Sequence, residues 1–271
     1  MNRVPTFLSV AGSDPSGGAG VQADLKTASA FGVYAGAVLT ALTVQNTQGV
    51  SGVHPVPAAF VADQLAAVLD DLDVRVVKIG MLGTAEVASV VADVLAARTA
   101  PPLVVLDPVM VATSGDRLVD DDTVTRIRDR LLPLSDVVTP NIAETATLLG
   151  LDEVGDLAAA GARLLGLGAG AALVKGGHRS GPTSTDVLVD VDGVLELAAA
   201  RIDTPHTHGT GCTLSSAIGA LLVRDMPLRA AVGEAKDFLT AALRAGAGRR
   251  VGHGRGPVDH LHAWVTGRGS W

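Results

Sequence analysis

The sequence predicts an α/β protein with a mostly parallel central sheet and helices on both faces. Three observations predict it. Short apolar strand patterns alternate with helical patterns along most of the 271 residues. The segments richest in chemistry each follow a strand, and the carboxyl edge of an open parallel sheet is where ligands bind. The chain is 48% hydrophobic and 18% charged, enough apolar material for a large core. No linker, repeat or low-complexity stretch divides it, so residues 1–271 are expected to form a single domain.

Residues 6–10 are the first strand pattern, and they run into a loop of Gly, Ser, Asp, Pro and Ala over 11–20. That loop is neither a Walker loop nor a dinucleotide fingerprint. It is either a flexible turn or a segment that lets a small molecule approach backbone N–H groups. A helix is predicted over 22–31. The strand over 38–44 ends in Gln45-Asn46-Thr47-Gln48-Gly49, a polar loop or an edge suited to reading a heterocycle. Phe60, Val61, Leu65, Val68, Leu69 and Leu72 have helical spacing over 58–72. A strand over 74–79 leads to Gly80-Met81-Leu82-Gly83, and a helix follows over 86–97. The strand over 103–106 delivers Asp107-Pro108, a turn starter or a functional carboxylate.

Residues 120–132 read as helix and 137–139 as a short strand stopped by Pro140. Asn141 and Glu144 then stand at the capping-box offset. They equally suit a hard cation, magnesium, as oxygen ligands or as holders of its waters. After a helix over 156–165, the strand over 172–174 ends in Lys175-Gly176-Gly177-His178, which can set an ammonium beside a phosphate. Alternating patterns flank Asp192-Gly193, a hairpin signal. Pro227 opens the last amphipathic helix. From Arg249 a glycine- and histidine-rich tail is expected to pack back on the domain; His260 and His262 lack a third ligand at metal spacing.

The formal net charge of −7 and the absence of a basic stripe argue against nucleic acid as a partner. The single cysteine, Cys212, excludes an internal disulfide framework and suits a reducing cytoplasm. No signal peptide is legible and no apolar run reaches the ~20 residues that cross a bilayer, so a soluble cytoplasmic chain with no membrane partner is expected.

The most informative stretch is His208-Gly209-Thr210-Gly211-Cys212-Thr213, followed by the helical pattern of Leu214, Ile218, Leu221 and Leu222. It sets a Gly-Thr-Gly-Cys backbone at a helix N-terminus, where free N–H groups and the dipole attract an anion. The same position should lower the thiol pKa of Cys212. Anion-binding amides, a lysine, two acids with an asparagine for magnesium and an ionisable group beside the anion serve phosphoryl transfer better than acyl or hydride transfer.

These segments resemble the ribokinase superfamily, and within it the hydroxymethylpyrimidine/phosphomethylpyrimidine kinases of thiamine biosynthesis. The resemblance is carried by Ala11 to Gly20, Gln22 to Thr27, Thr40-Ala41-Leu42, Gln45-Asn46-Thr47, Lys78 to Leu82 and Leu106 to Met110. Thr139-Pro140-Asn141, Glu144, Val174 to His178, His208 to Thr213 and the Gly256-Pro257 tail complete it. It implies a three-layer ribokinase-like fold, ATP as phosphoryl donor and Mg2+ as cofactor. By resemblance Gly209, Thr210 and Gly211 form the anion hole, Lys175 lies near the phosphates and Cys212 replaces the superfamily's usual aspartate base. Asp107 and Glu144 serve magnesium, and Ala19, Asp24, Gln45, Met81 and Val109 match the pyrimidine pocket. A homodimer is implied as well. The alternatives are a pyridoxal, pyridoxine or pyridoxamine kinase of the same type and, outside enzymes, a non-catalytic sensor of such ligands.

Overall fold

The computed structural model describes residues 3–111, 118–177 and 180–264. Among them nine strands form one sheet in the order β3-β2-β1-β4-β5-β6-β7-β8-β9. The core strands are β1 (Thr6–Ser13), β2 (Tyr34–Asn46), β4 (Val74–Ile79), β5 (Leu103–Leu106), β6 (Val137–Val138) and β7 (Ala172–Val174), all paired in parallel. Antiparallel strands close both edges: β3 (Gly49–Pro55) on β2, and the hairpin β8 (Thr183–Asp190) and β9 (Gly193–Ala200) on β7.

The strand period of two divides the core into two layers. Leu8, Val10, Val77 and Ile79 face one side, with α2 (Ala58–Asp71), α3 (Ala85–Ala96), α4 (Asp121–Arg126), α5 (Ile142–Leu149) and α6 (Leu157–Gly166) around that layer. Phe7, Val76, Val105 and Val137 face the other, packed with α1 (Gly20–Ala30), α7 (Thr210–Val223) and α8 (Leu228–Gly246). The α/β class and the helices on both faces are as the sequence predicts.

Three local details differ. β2 runs on through Gln45 and Asn46 and turns back as β3, so the expected polar loop is a hairpin tip. The helix expected over 120–132 ends at Arg126 and continues as one π turn (Ile127–Leu131) and a 3₁₀ turn (Leu132–Leu134). Pro133, which has no N–H to donate, sits in that 3₁₀ turn. The thiol of Cys212 is the third, taken up below. The tail packs back as expected: His208 pairs with Pro257 in a parallel bridge, the Asp259 N–H donates to the Ala242 carbonyl, and Val258 and His260 are buried. No helix among the described residues is long and apolar enough to cross a membrane.

Candidate active site

A cavity of about 980 Å³ opens at the carboxyl ends of the parallel strands. Each segment singled out after a strand contributes to its wall: Gly12 and Ala19 from the first loop, Gln45, Met81, Asp107 and Val109, Asn141 and Glu144, Lys175 and Gly177, and Gly209 to Cys212. His178, quoted with Lys175, lies outside the described residues.

The start of α7 forms one wall. Gly209 caps it at φ +78°, a left-handed conformation glycine adopts freely, and a Cβ there would land on the Gly18 carbonyl oxygen. The helical ladder begins with the Thr213 N–H on the Gly209 carbonyl (2.9 Å), so the amides of Gly211 and Cys212 are the helix's opening donors. Gly211 lets this turn approach the opposite wall: a Cβ would stand 3.2 Å from Lys175 Nζ and 3.5 Å from Asp107 Oδ2.

That wall is an ion pair. Lys175 Nζ donates to Asp107 Oδ1 (2.8 Å), which also accepts from the Thr139 hydroxyl (3.2 Å), and the Ser215 hydroxyl donates to Oδ2 (3.3 Å). Burial works to raise the Asp107 carboxyl, but Lys175 and Lys78 outweigh it and hold its pKa below the ordinary value. Burial likewise opposes the Lys175 ammonium, yet Asp107 and Glu144 keep its pKa above the ordinary value. Both stay charged at neutral pH.

Asn141 and Glu144 form a complete capping box on α5. The Glu144 N–H donates to Asn141 Oδ1 (2.9 Å), and the Asn141 N–H donates to Glu144 Oε2 (2.8 Å). The amide oxygen of Asn141 is thus spent on the cap. Glu144 is 6% exposed, and burial, helped by the Asp107 charge, pushes its carboxyl up to about 7 against the pull of Lys175. No group of three His, Cys, Asp or Glu side chains able to hold a metal ion occurs among the described residues. Two carboxylates lining one cavity, one of them with its charge opposed by burial, nevertheless fit a magnesium ion that keeps most of its waters.

Two expectations need correction. Asp24 does not line the cavity. It is wholly buried beneath the floor, where its carboxylate accepts from Lys78 Nζ (3.0 Å to each oxygen), the Ser9 hydroxyl (2.6 Å) and the Ser216 hydroxyl (2.7 Å). The Cys212 thiol is not lowered but pushed up to about 11. Burial is the main cause, Asp24 and Asp107 add to it, and Lys78 and the Gly20 N–H oppose them. Of the other pocket residues, Ala19, Gln45, Met81 and Val109 do line the cavity. Met81 is fixed by its own carbonyl, which accepts from the Thr40 hydroxyl (2.7 Å) and the Gly12 N–H (3.1 Å).

Sequence reasoning gave no role to three residues that it named only within longer segments. Lys78 is a fully buried lysine in the cavity wall, held above its ordinary pKa by Asp24 despite the cost of burial. Asp14 and His208 form a buried pair at 2.7 Å. The available signals were a lysine interrupting an apolar strand and an Asx-type turn in Asp14-Pro15-Ser16.

A dipole-bearing helix start facing a lysine–carboxylate pair is suited to holding and neutralising a phosphoryl group in transfer, and the cavity they line has room for an organic acceptor. The class so defined is a small-molecule kinase. Within it, the chain belongs to the phosphomethylpyrimidine kinase family, whose pattern matches residues 14–259. A hydroxymethylpyrimidine/phosphomethylpyrimidine kinase of Rhizobium meliloti is 50% identical over 260 residues, covering 95% of this chain and 97% of that one. Among solved structures, an ADP complex of Bacillus subtilis pyridoxal kinase superposes with a TM-score of 0.88 at 33% identity, covering 97% of this chain and 99% of that one. A phosphomethylpyrimidine kinase from Clostridium difficile 630 gives 0.77 at 36%, covering 89% of this chain and all of that one.

Proposed function

We propose that this chain uses ATP to phosphorylate hydroxymethylpyrimidine on its hydroxymethyl oxygen and then phosphorylates the monophosphate to the diphosphate, in thiamine biosynthesis. The observation that carries this reading is the placement of Gly209 to Cys212 across from Lys175 and Asp107 in the same cavity that Ala19, Gln45, Met81 and Val109 line. The pyridoxal reading rests on a closely similar fold at 33% identity, whereas the pyrimidine reading rests on 50% identity along nearly the full chain.

The opening amides of α7 hold the transferring phosphoryl oxygens, and Lys175 neutralises charge on them. Magnesium, when bound, screens the phosphates and aligns them; Asp107 and Glu144 would hold it, with Asn141 orienting Glu144 through the cap. Met81 and Val109 supply apolar faces for the pyrimidine ring, and Gln45 supplies its polar edge. As the acceptor oxygen bonds to phosphorus and ADP leaves, the hydroxyl proton passes to Cys212 as thiolate. Lys78 below favours that charge. With the thiol at about 11 the thiolate is the minor form at neutral pH, so this step draws on a small thiolate population that grows as pH rises. The assembly proposed is a cytoplasmic homodimer.

The test is product analysis by mass spectrometry with ATP, magnesium and either hydroxymethylpyrimidine or pyridoxal. Monophosphate followed by diphosphate from the pyrimidine is expected. Pyridoxal phosphate with no pyrimidine product would overturn the assignment in favour of B6 salvage.

A further inference from the structure

Asp14 and His208 are 194 positions apart in sequence, and nothing in the reaction described above uses either. Both are buried, at 1% and 7% exposure. The Asp14 carboxylate gathers the glycine-rich loop around itself: Oδ1 accepts from the Ser16 N–H (2.9 Å) and hydroxyl (2.7 Å), and Oδ2 from the N–H groups of Gly18 (3.1 Å) and Ala19 (2.8 Å). Oδ2 also meets His208 Nε2 at 2.7 Å. Burial would raise this carboxyl, but the bonds from His208 and Ser16 hold it down at about 2. An ionised carboxylate only accepts, so His208 Nε2 carries the proton and donates it.

His208 is fixed from two further directions. Its N–H donates to the Gly256 carbonyl in the C-terminal tail (3.2 Å). Its ring lies so close to Gly18 that a Cβ there would come within 3.0 Å of Nε2. The next residue, Gly209, abuts the Gly18 carbonyl. The loop that presents Ala19 to the cavity and the helix start that presents Gly209 to Cys212 are therefore fastened at one point, within the cavity wall to which Asp14 and His208 themselves belong.

We propose that Asp14 and His208 are a positioning pair that sets the spacing between the acceptor-binding loop and the anion-binding start of α7, so that the acceptor hydroxyl meets the phosphoryl group in line. This rests on the kinase reading above. Neither residue touches the reacting atoms; each acts through the backbone of Gly18–Ala19 or of Gly209–Gly211. A misplacement of about 1 Å at such a site can cost on the order of 100-fold in rate, so the pair is felt in turnover more than in binding.

The experiment is steady-state kinetics on the full chain with Asp14→Asn, His208→Ala, His208→Gln and the double variant Asp14→Asn/His208→Ala. Wild-type turnover on hydroxymethylpyrimidine is measured first; if it is nil and pyridoxal is phosphorylated instead, the substrate reading fails and the same comparison is run on pyridoxal. The expected result is a fall in kcat of about tenfold or more for His208→Ala, with KM for ATP within about twofold of wild type. The double variant should fall no more than about twofold below the worse single variant, because the two residues act as one unit. His208→Gln, whose amide can still donate to Asp14, should recover much of the loss. The proposal is overturned if His208→Ala keeps turnover within about twofold of wild type, if the single losses multiply in the double variant, or if KM for ATP rises in step with the loss of kcat. Thermal melts on each variant identify any that fail to fold, and His208→Gln then decides the matter alone.

Discussion

Replacing Glu144 with glutamine should stabilise the metal-free protein at about pH 8 and do so about a third as much at about pH 5. The carboxyl is 6% exposed, and burial raises its pKa from the ordinary 4.5 to about 7. Below the unfolded value both states are protonated and the group contributes nothing. As pH rises, the unfolded chain releases its proton first, so folding stability declines until the folded pKa is passed and then stays depressed. A gap of about 2.5 pKa units corresponds to roughly 3 kcal/mol at pH 8 and roughly 1 kcal/mol at pH 5. Glutamine carries no proton in this range, and its oxygen can still accept from the Asn141 N–H, so the capping box survives. The assay is urea unfolding at the two pH values in the presence of a chelator. The glutamine variant should show the higher midpoint at pH 8, and magnesium should raise the wild type toward it. Equal effects at both pH values, or a less stable variant at pH 8, would show that Glu144 ionises at no cost and refute the burial argument. In turnover, the same variant should need more magnesium; an unchanged magnesium titration would leave Glu144 a capping residue.

Two further outcomes are expected. Cys212→Ala should lower kcat by about tenfold or more with little change in pyrimidine KM, and wild-type kcat should climb toward alkaline pH, because a thiol at about 11 is mostly protonated below that value. A flat pH–rate profile, or near-normal turnover of the alanine variant, would remove Cys212 as the base. Gly209→Ala should lower the thermal midpoint by at least about 4 °C, from a left-handed backbone costing about 1–2 kcal/mol and a methyl driven onto the Gly18 carbonyl; an unchanged melt would show that the helix start has room to shift.

The parallel core was legible because its signals are local. The mainly apolar runs at 6–10, 74–79 and 103–106 are strands whose residues are buried on both faces over 6–10, 76–79 and 104–106, and a strand so buried needs no partner to be recognised. β3 was not legible. Gly49-Val50-Ser51-Gly52-Val53-His54-Pro55 has two glycines, a proline and mostly exposed positions, and it becomes a strand because β2 offers an open edge. Likewise the helix over 120–132 has the right apolar spacing throughout, and only the missing donor at Pro133 explains why its last turns relax into π and 3₁₀ geometry.

In the site, the sequence orders residues along an edge but does not set their depth. Asp24 stands in the first turns of α1, next to residues that do reach the cavity, and it points below the floor because a cation 54 positions away, Lys78, is buried there and needs its charge answered. The charges gathered there also undo the local argument for Cys212. A helix N-terminus favours a thiolate by about 1 kcal/mol, whereas removal from water next to the Asp24 and Asp107 charges costs more than Lys78 and the Gly20 N–H return. The inward pair Asp24–Lys78 and the outward pair Asp107–Lys175 therefore set the charge at Cys212 between them. The ionisation of that thiol depends on four residues drawn from α1, β4, the turn after β5 and the end of β7, and no stretch of sequence contains more than one of them.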